Sequence, residues 1–86
     1  MNINQLIEIV KKKINQNILC DKVEVEDKTF LHRNHRSYQN GKFHIKLKIK
    51  SLYLKEKNTI ESSKKIYKIL NEELKNYIHS IQISIN

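Results

Sequence analysis

The chain has 86 residues, 38% hydrophobic and 30% charged, with a single Gly and no Pro. That length and composition predict one folded domain over residues 1–86, whose core buries about 60% of the unfolded chain's surface; they exclude a large internal active-site cavity, long linkers and low-complexity tails. The net charge of +8 is concentrated in the middle: residues 28–68 hold twelve basic and two acidic residues, while 1–27 and 69–86 each come to −1.

In chain order, Ile3, Leu6, Ile7, Val10 and Ile14 recur at i, i+3, i+4, i+7 and i+11, which predicts an amphipathic helix from about Asn4 to Gln16. Glu8 and Lys12 form a weak i, i+4 pair on its wet side. Val23-Glu24-Val25-Glu26 alternates apolar and acidic, and predicts a first strand from about Lys22 to Asp27. Residues Lys28 to Lys42 lack a sustained period and contain His32, His35 and Gly41; they predict a long connecting loop of the kind that is usually functional or mobile. His44 to Ser51 sets Ile45, Leu47 and Ile49 on one face and Lys46, Lys48 and Lys50 on the other, the clearest strand in the chain. Paired antiparallel with the first strand, its lysines would face Glu24 and Glu26.

A turn around Lys55 to Asn58 then leads to a second helix, capped near Asn58, Thr59 or Ser62, with Ile66, Tyr67, Leu70 and Leu74 as its apolar stripe. Glu72 and Glu73 would form a wet face of that helix, pointing about 100° apart. Finally His79, Ile81, Ile83 and Ile85 alternate with Ser80, Gln82 and Ser84, a third strand that puts His79 on the apolar face. Each element has one apolar stripe, so the expected class is α+β, a small three-stranded sheet with helices on one face.

No apolar run approaches the ~20 residues that cross a bilayer. Lys11, Lys12 and Lys13 sit inside an amphipathic pattern rather than ahead of an apolar stretch, so neither a membrane span nor a signal peptide is expected. Cys20 has no second cysteine to pair with, which points to a reducing setting: the cytoplasm or, alternatively, a mitochondrial matrix. With no histidine or carboxylate at motif spacing, Cys20 reads as a small hydrophobe rather than a nucleophile.

The chemistry-bearing residues are the four histidines, three of them between positions 32 and 44. Neutral imidazole ligates iron, but His32 and His35 by themselves fall short of the four ligands of a structural zinc site. The basic middle supports a second possibility, polyanion binding. Lys46, Lys48 and Lys50 would carry it as one outward row, with Lys64 further along. Against specific recognition, the G-x-x-G loop of KH modules is absent, and Tyr38, Phe43 and Tyr53 do not form a stacking platform. Ile, Asn and Lys account for 39 residues and Ala for none, so compositional bias explains part of the lysine excess.

Taken together, the segments resemble the BolA-like proteins. Val23 to Asp27 (VEVED), Thr29 and His32 to His35 (HRNH) match the family's V-x-V-x-D, Ser/Thr and H-x-G-H run, and His44 to Ser51 matches its H-F-x-V-x-I-x-S strand. The spacing then continues through Ile60, Ile66-Tyr67, Leu70, Glu73-Leu74 and Ile78-His79. There are departures: Ser62, Ser63 and Lys64 stand where the family has R-H-R, Leu54-Lys55-Glu56 where it has F-x-G, and Asn34 where H-x-G-H has its glycine. The resemblance implies an α-β-β-α-α-β order similar to class II KH domains, and a non-enzymatic partner of a monothiol glutaredoxin. It further implies a two-iron two-sulfur cluster shared with the glutaredoxin's cysteine and a glutathione thiol, and none in the isolated chain. The ligand it assigns is His79, with a second from His32, His35 or His44. The role implied is iron-sulfur cluster assembly, transfer or iron sensing. The alternative is a transcriptional regulator that binds nucleic acid.

Overall fold

The structure, a computed structural model, describes residues 1–29 and 42–86. Helix α1 (Ile3–Asn17) starts on a reciprocal capping box: Gln5 donates its backbone N–H to the Asn2 side chain, and Asn2 donates its own to the Gln5 side chain. Its stripe Leu6, Val10 and Ile14 is fully buried. Strands β1 (Lys22–Asp27) and β2 (Phe43–Lys50) pair antiparallel, with Glu24 opposite Lys48 and Glu26 opposite Lys46. Strand β3 (Ile78–Ile85) lies parallel to β2 on its other side, so the sheet order is β1-β2-β3. A parallel neighbour requires the chain to cross back between β2 and β3, and three helices make that crossing: α2 (Leu52–Lys55), α3 (Thr59–Ile69) and α4 (Asn71–Asn76). The α+β class is as expected, and the crossing carries one short helix beyond the α-β-β-α-α-β order.

One core joins the layers. Ile45, Leu47 and Ile49 from β2 meet Leu6, Val10 and Ile14 from α1 and Ile66 and Leu70 from the crossing helices. Burying one such side chain contributes about 1.5–3 kcal/mol, which is why the helices sit on this face of the sheet and leave the lysine face outside.

Several details differ from the sequence reading. The expected turn at Lys55 to Asn58 is preceded by the single-turn helix α2, which Ser51 caps by accepting the Leu54 N–H on its hydroxyl, 3.2 Å away. Leu54 is buried, keeping the apolar plug of the family's F-x-G, and Glu56 has φ −73°, so that turn needs no glycine. Asn58 caps α3 through the Glu61 N–H. The expected second helix breaks at Leu70 into α3 and α4. Tyr67 is exposed rather than part of the buried stripe: it lies about 100° round the helix from Ile66, and Ser62, Ile66 and Leu70 hold the inner positions. Glu73 is 5% exposed rather than wet, because Lys13 of α1 donates to both its carboxylate oxygens at 2.7 and 2.9 Å. This pairing ties α4 back to α1; a buried carboxylate keeps its charge only with such a partner.

Candidate functional site: a histidine pair at the head of the sheet

Because β2 and β3 run parallel, their first residues come to the same end of the sheet. The register there is irregular. Phe43 faces Ile78, but the next residue of β2, His44, faces Ser80. His79 is therefore an extra residue on β3, the arrangement of a β-bulge, which re-aims a side chain. From Ile81 onward the regular pairing Ile45↔Ile81, Leu47↔Ile83 and Ile49↔Ile85 resumes, and at the strand's start Ile78, not His79, enters the core. The strict alternation expected for His79 is thus broken one step before it would have put the ring among the isoleucines.

The bulge brings His79 against His44. Their ring centroids are 4.9 Å apart and inclined at 65°, an edge-to-face contact. His44 is 2% exposed, and its Nδ1 shares a 2.6 Å hydrogen bond with the Ser80 hydroxyl. That bond fixes the ring's orientation. His79 is half-buried, and its Nδ1 is buried without a hydrogen-bond partner among the described residues. Leaving a buried polar atom unmatched costs about 1–3 kcal/mol, so this atom is a point where the fold has not been optimised for its own stability.

The end of β1 completes the frame. Asp27 Oδ1 accepts both the backbone N–H of Thr29, at 2.9 Å, and its hydroxyl. The Thr29 hydroxyl oxygen in turn accepts the His44 N–H at 3.2 Å, and Lys28 donates its N–H to the His44 carbonyl at 2.7 Å. The matched run Asp27-x-Thr29 thus has a physical role: it clamps the backbone of His44. Sequence reasoning noted Asp27 and Thr29 only as matched letters, and missed Ser80 because a serine on an outer strand face gives no distinctive signal. A recess beside the His44 ring is lined by Lys28, His44, Lys46, Ser80 and Gln82 together with Ile45 and Ile81.

The other predicted site residues divide clearly. His32 and His35 lie outside the described residues; of the described residues that flank them, Thr29 accepts the His44 N–H on its hydroxyl, and Lys42 precedes His44 by two positions. Lys46, Lys48 and Lys50 form the expected outward row, opposite Glu26, Glu24 and Lys22 respectively. Lys48 is ion-paired to Glu26 at 2.8 Å, and Lys28 reaches the same carboxylate at 3.2 Å. The two lysines hold Glu26 below its ordinary pKa, and Glu26 raises that of Lys48. Lys64 is exposed on α3, in the helix layer, and so does not extend the row. Cys20 is half-buried, donates to Asn15 Oδ1 at 3.3 Å, and has its pKa raised by burial and by Asp21; this agrees with an inert thiol. No described helix is long and apolar enough to cross a membrane.

Comparison with known proteins places the fold in a family. The BolA-like protein family matches residues 14–86. Over 85 residues the chain is 29% identical to the DNA-binding transcriptional regulator BolA of Haemophilus influenzae, covering 99% of this chain and 77% of that one. The fold is similar to that of the BolA domain of SufE1 from Arabidopsis thaliana, with TM-score 0.82 and 24% identity over 99% of this chain and 94% of that one. It is also similar to BolA1 from the same plant, with TM-score 0.76 and 20% identity over 93% and 88% of the two chains. The chain belongs to the BolA-like family.

Proposed function

We propose that this protein is a non-enzymatic partner of a monothiol glutaredoxin and helps to hold a bridging two-iron two-sulfur cluster, with His79 as its ligand and His44 as the residue that positions it. The observation that carries this reading is the unmatched, buried Nδ1 of His79 beside an imidazole locked by Ser80. A nitrogen in that state gains from any bond a partner brings, whether to iron or to an acceptor that fixes the tautomer of a ligating ring. Imidazole is a competent ligand for such clusters. The lysines of the adjoining recess suit a cluster whose sulfides and thiolates leave it anionic. His32 or His35 remains the second candidate ligand, on a segment whose two ends meet the fold at His44. The cluster is cargo in this scheme, shared with the glutaredoxin's cysteine and a glutathione thiol, in assembly, transfer or iron sensing in the cytoplasm.

The test is anaerobic reconstitution of the chain with a monothiol glutaredoxin, iron, sulfide and glutathione, followed by visible absorption and circular dichroism. Wild type is expected to give a spectrum distinct from that of the glutaredoxin homodimer, and His79→Ala to change or lose it. Absence of a heterocomplex with wild type, or an unchanged spectrum in His79→Ala, would reject the reading.

A second reading, nucleic-acid binding in transcriptional regulation, is favoured by the relative's name and by Lys46 and Lys50, which have no ion pair among the described residues. The ion pair at Lys48 weakens it. On this reading Lys46→Glu with Lys48→Glu abolishes function while His79→Ala is neutral, and DNA affinity falls with log salt at a slope of about −0.9 per phosphate contact.

A further inference from the structure

The two edges of the sheet are built differently. β1 guards its edge with Lys22, Glu24, Glu26 and Asp27 in six residues. β3 is eight residues long and has no Lys, Arg, Asp, Glu, Pro or Gly. Exposed edges without charge, proline or a bulge turned against the newcomer are templates for another strand, and among the described residues no strand pairs with the outer edge of β3. Its isoleucines Ile81, Ile83 and Ile85 are only half-buried, unlike their neighbours Ile45, Leu47 and Ile49.

The strand is also nearly its own mirror: Ser80-Ile81-Gln82-Ile83-Ser84 reads the same in both directions. The hydrogen-bond phase agrees with that symmetry. Asn86, just beyond β3, donates its N–H to the carbonyl of Ile49 on β2 and accepts the N–H of Ser51, the residue that follows β2. By strand alternation Ser84, Gln82 and Ser80 also turn their backbone groups toward β2, and Ile83 and Ile81 turn theirs to the open edge.

We propose that β3 is a self-association edge: two copies of this protein pair β3 with β3, antiparallel, about a twofold axis at Gln82. In that register Ile81 of each copy exchanges both backbone hydrogen bonds with Ile83 of the other. Gln82 meets Gln82 in the closely spaced, non-hydrogen-bonded position, and Ser80 meets Ser84. Polar residues stay on the outer face, and the half-buried isoleucines gain apolar neighbours on the core face. A second copy is the occupant that the palindrome selects, since from Ser80 to Ser84 every pair across the axis is then like with like and uncharged. The pairing is isologous, so it closes at two, with the charged β1 edges on the outside.

The full-length chain is followed by sedimentation and amide exchange from about 10 µM to about 1 mM, the range in which a single strand pair of modest affinity titrates. Wild type is expected to pass from monomer to dimer and no further, with the Ile81 and Ile83 amides gaining protection as concentration rises. Gln82→Lys and Gln82→Glu each set like charges face to face and are expected to weaken the dimer about tenfold or more; position 82 is exposed, so the monomer fold survives. Mixing the two variants restores association. A wild type that stays monomeric, an assembly larger than two, unchanged dimerisation of both variants, or a mixture no tighter than either variant alone would overturn the proposal.

Discussion

At the C-terminal end of β2 the buried hydroxyls all have partners. The Ser51 hydroxyl donates to the Leu19 carbonyl at 2.7 Å and accepts from Leu54 N–H, and the Ser62 hydroxyl donates to the Leu54 carbonyl at 2.9 Å. At its N-terminal end His44 is held by Ser80 and clamped by Thr29, yet the neighbouring His79 keeps a buried nitrogen unmatched among the described residues. The same strand thus ends in a closed polar network on one side and an open one on the other. Closed networks stabilise and rigidify, whereas an open one costs stability until something binds. The difference separates polar groups that the fold itself satisfies from one that it leaves unmatched among the described residues.

Breaking the closed end has the larger effect on stability. Ser51→Ala removes the cap of α2 and leaves the Leu19 carbonyl without its donor. A cap costs about 1 kcal/mol and a stranded acceptor a similar amount, so a loss of about 2 kcal/mol is expected. For a chain of this size that lowers the melting temperature by about 10 °C. Ser62→Ala, which loses one hydrogen bond and no cap, should fall by about half as much. His79→Ala removes the unmatched nitrogen together with a half-buried ring, so thermal denaturation should show a change within about 1 kcal/mol of wild type. A melting temperature for His79→Ala as low as that for Ser51→Ala would erase the distinction between the two ends.

The sequence was legible where a residue's environment follows from its neighbours along one element. The strand Lys22 to Asp27 is found where alternation put it, and α1, β2 and β3 differ from expectation by one or two residues at an end, because Ile and Val alternate with charged or polar residues and the apolar faces must share one core. Legibility failed where the deciding partner is distant. A four-residue helix has too little length for a period, and α2 depends on Ser51. Glu73 looks like a wet carboxylate until Lys13, sixty residues earlier, comes beside it. The bulge is a mismatch between two strands, and nothing within Ile78-His79-Ser80 announces it. For the candidate site, resemblance to the family pointed to His79 and His44, whereas the ring contact and the roles of Ser80 and Thr29 needed three dimensions.

The smallest expected effect lies on the outer face, between the two ends. Lys48 and Lys28 hydrogen-bond Glu26 and lower its pKa from the ordinary 4.5; Lys22 does the same for Glu24. A carboxyl whose pKa is lower folded than unfolded contributes stability that is fully present above the unfolded value, and loses it as pH falls through the folded one. Denaturant midpoints should therefore hold from about pH 7 down to about pH 5 and then drop. In Glu26→Gln the acid-side drop should be shallower while the neutral-pH midpoint scarcely moves, because exposed pairs contribute little; added salt should shrink the difference between the two proteins. Parallel pH profiles for wild type and Glu26→Gln would mean that the carboxylate's partners do not matter to folding. The same variant releases Lys48 from its acid partner, so any salt-sensitive binding of nucleic acid to the lysine row should strengthen in it, while any cluster binding of the kind proposed for His79 should stay unchanged.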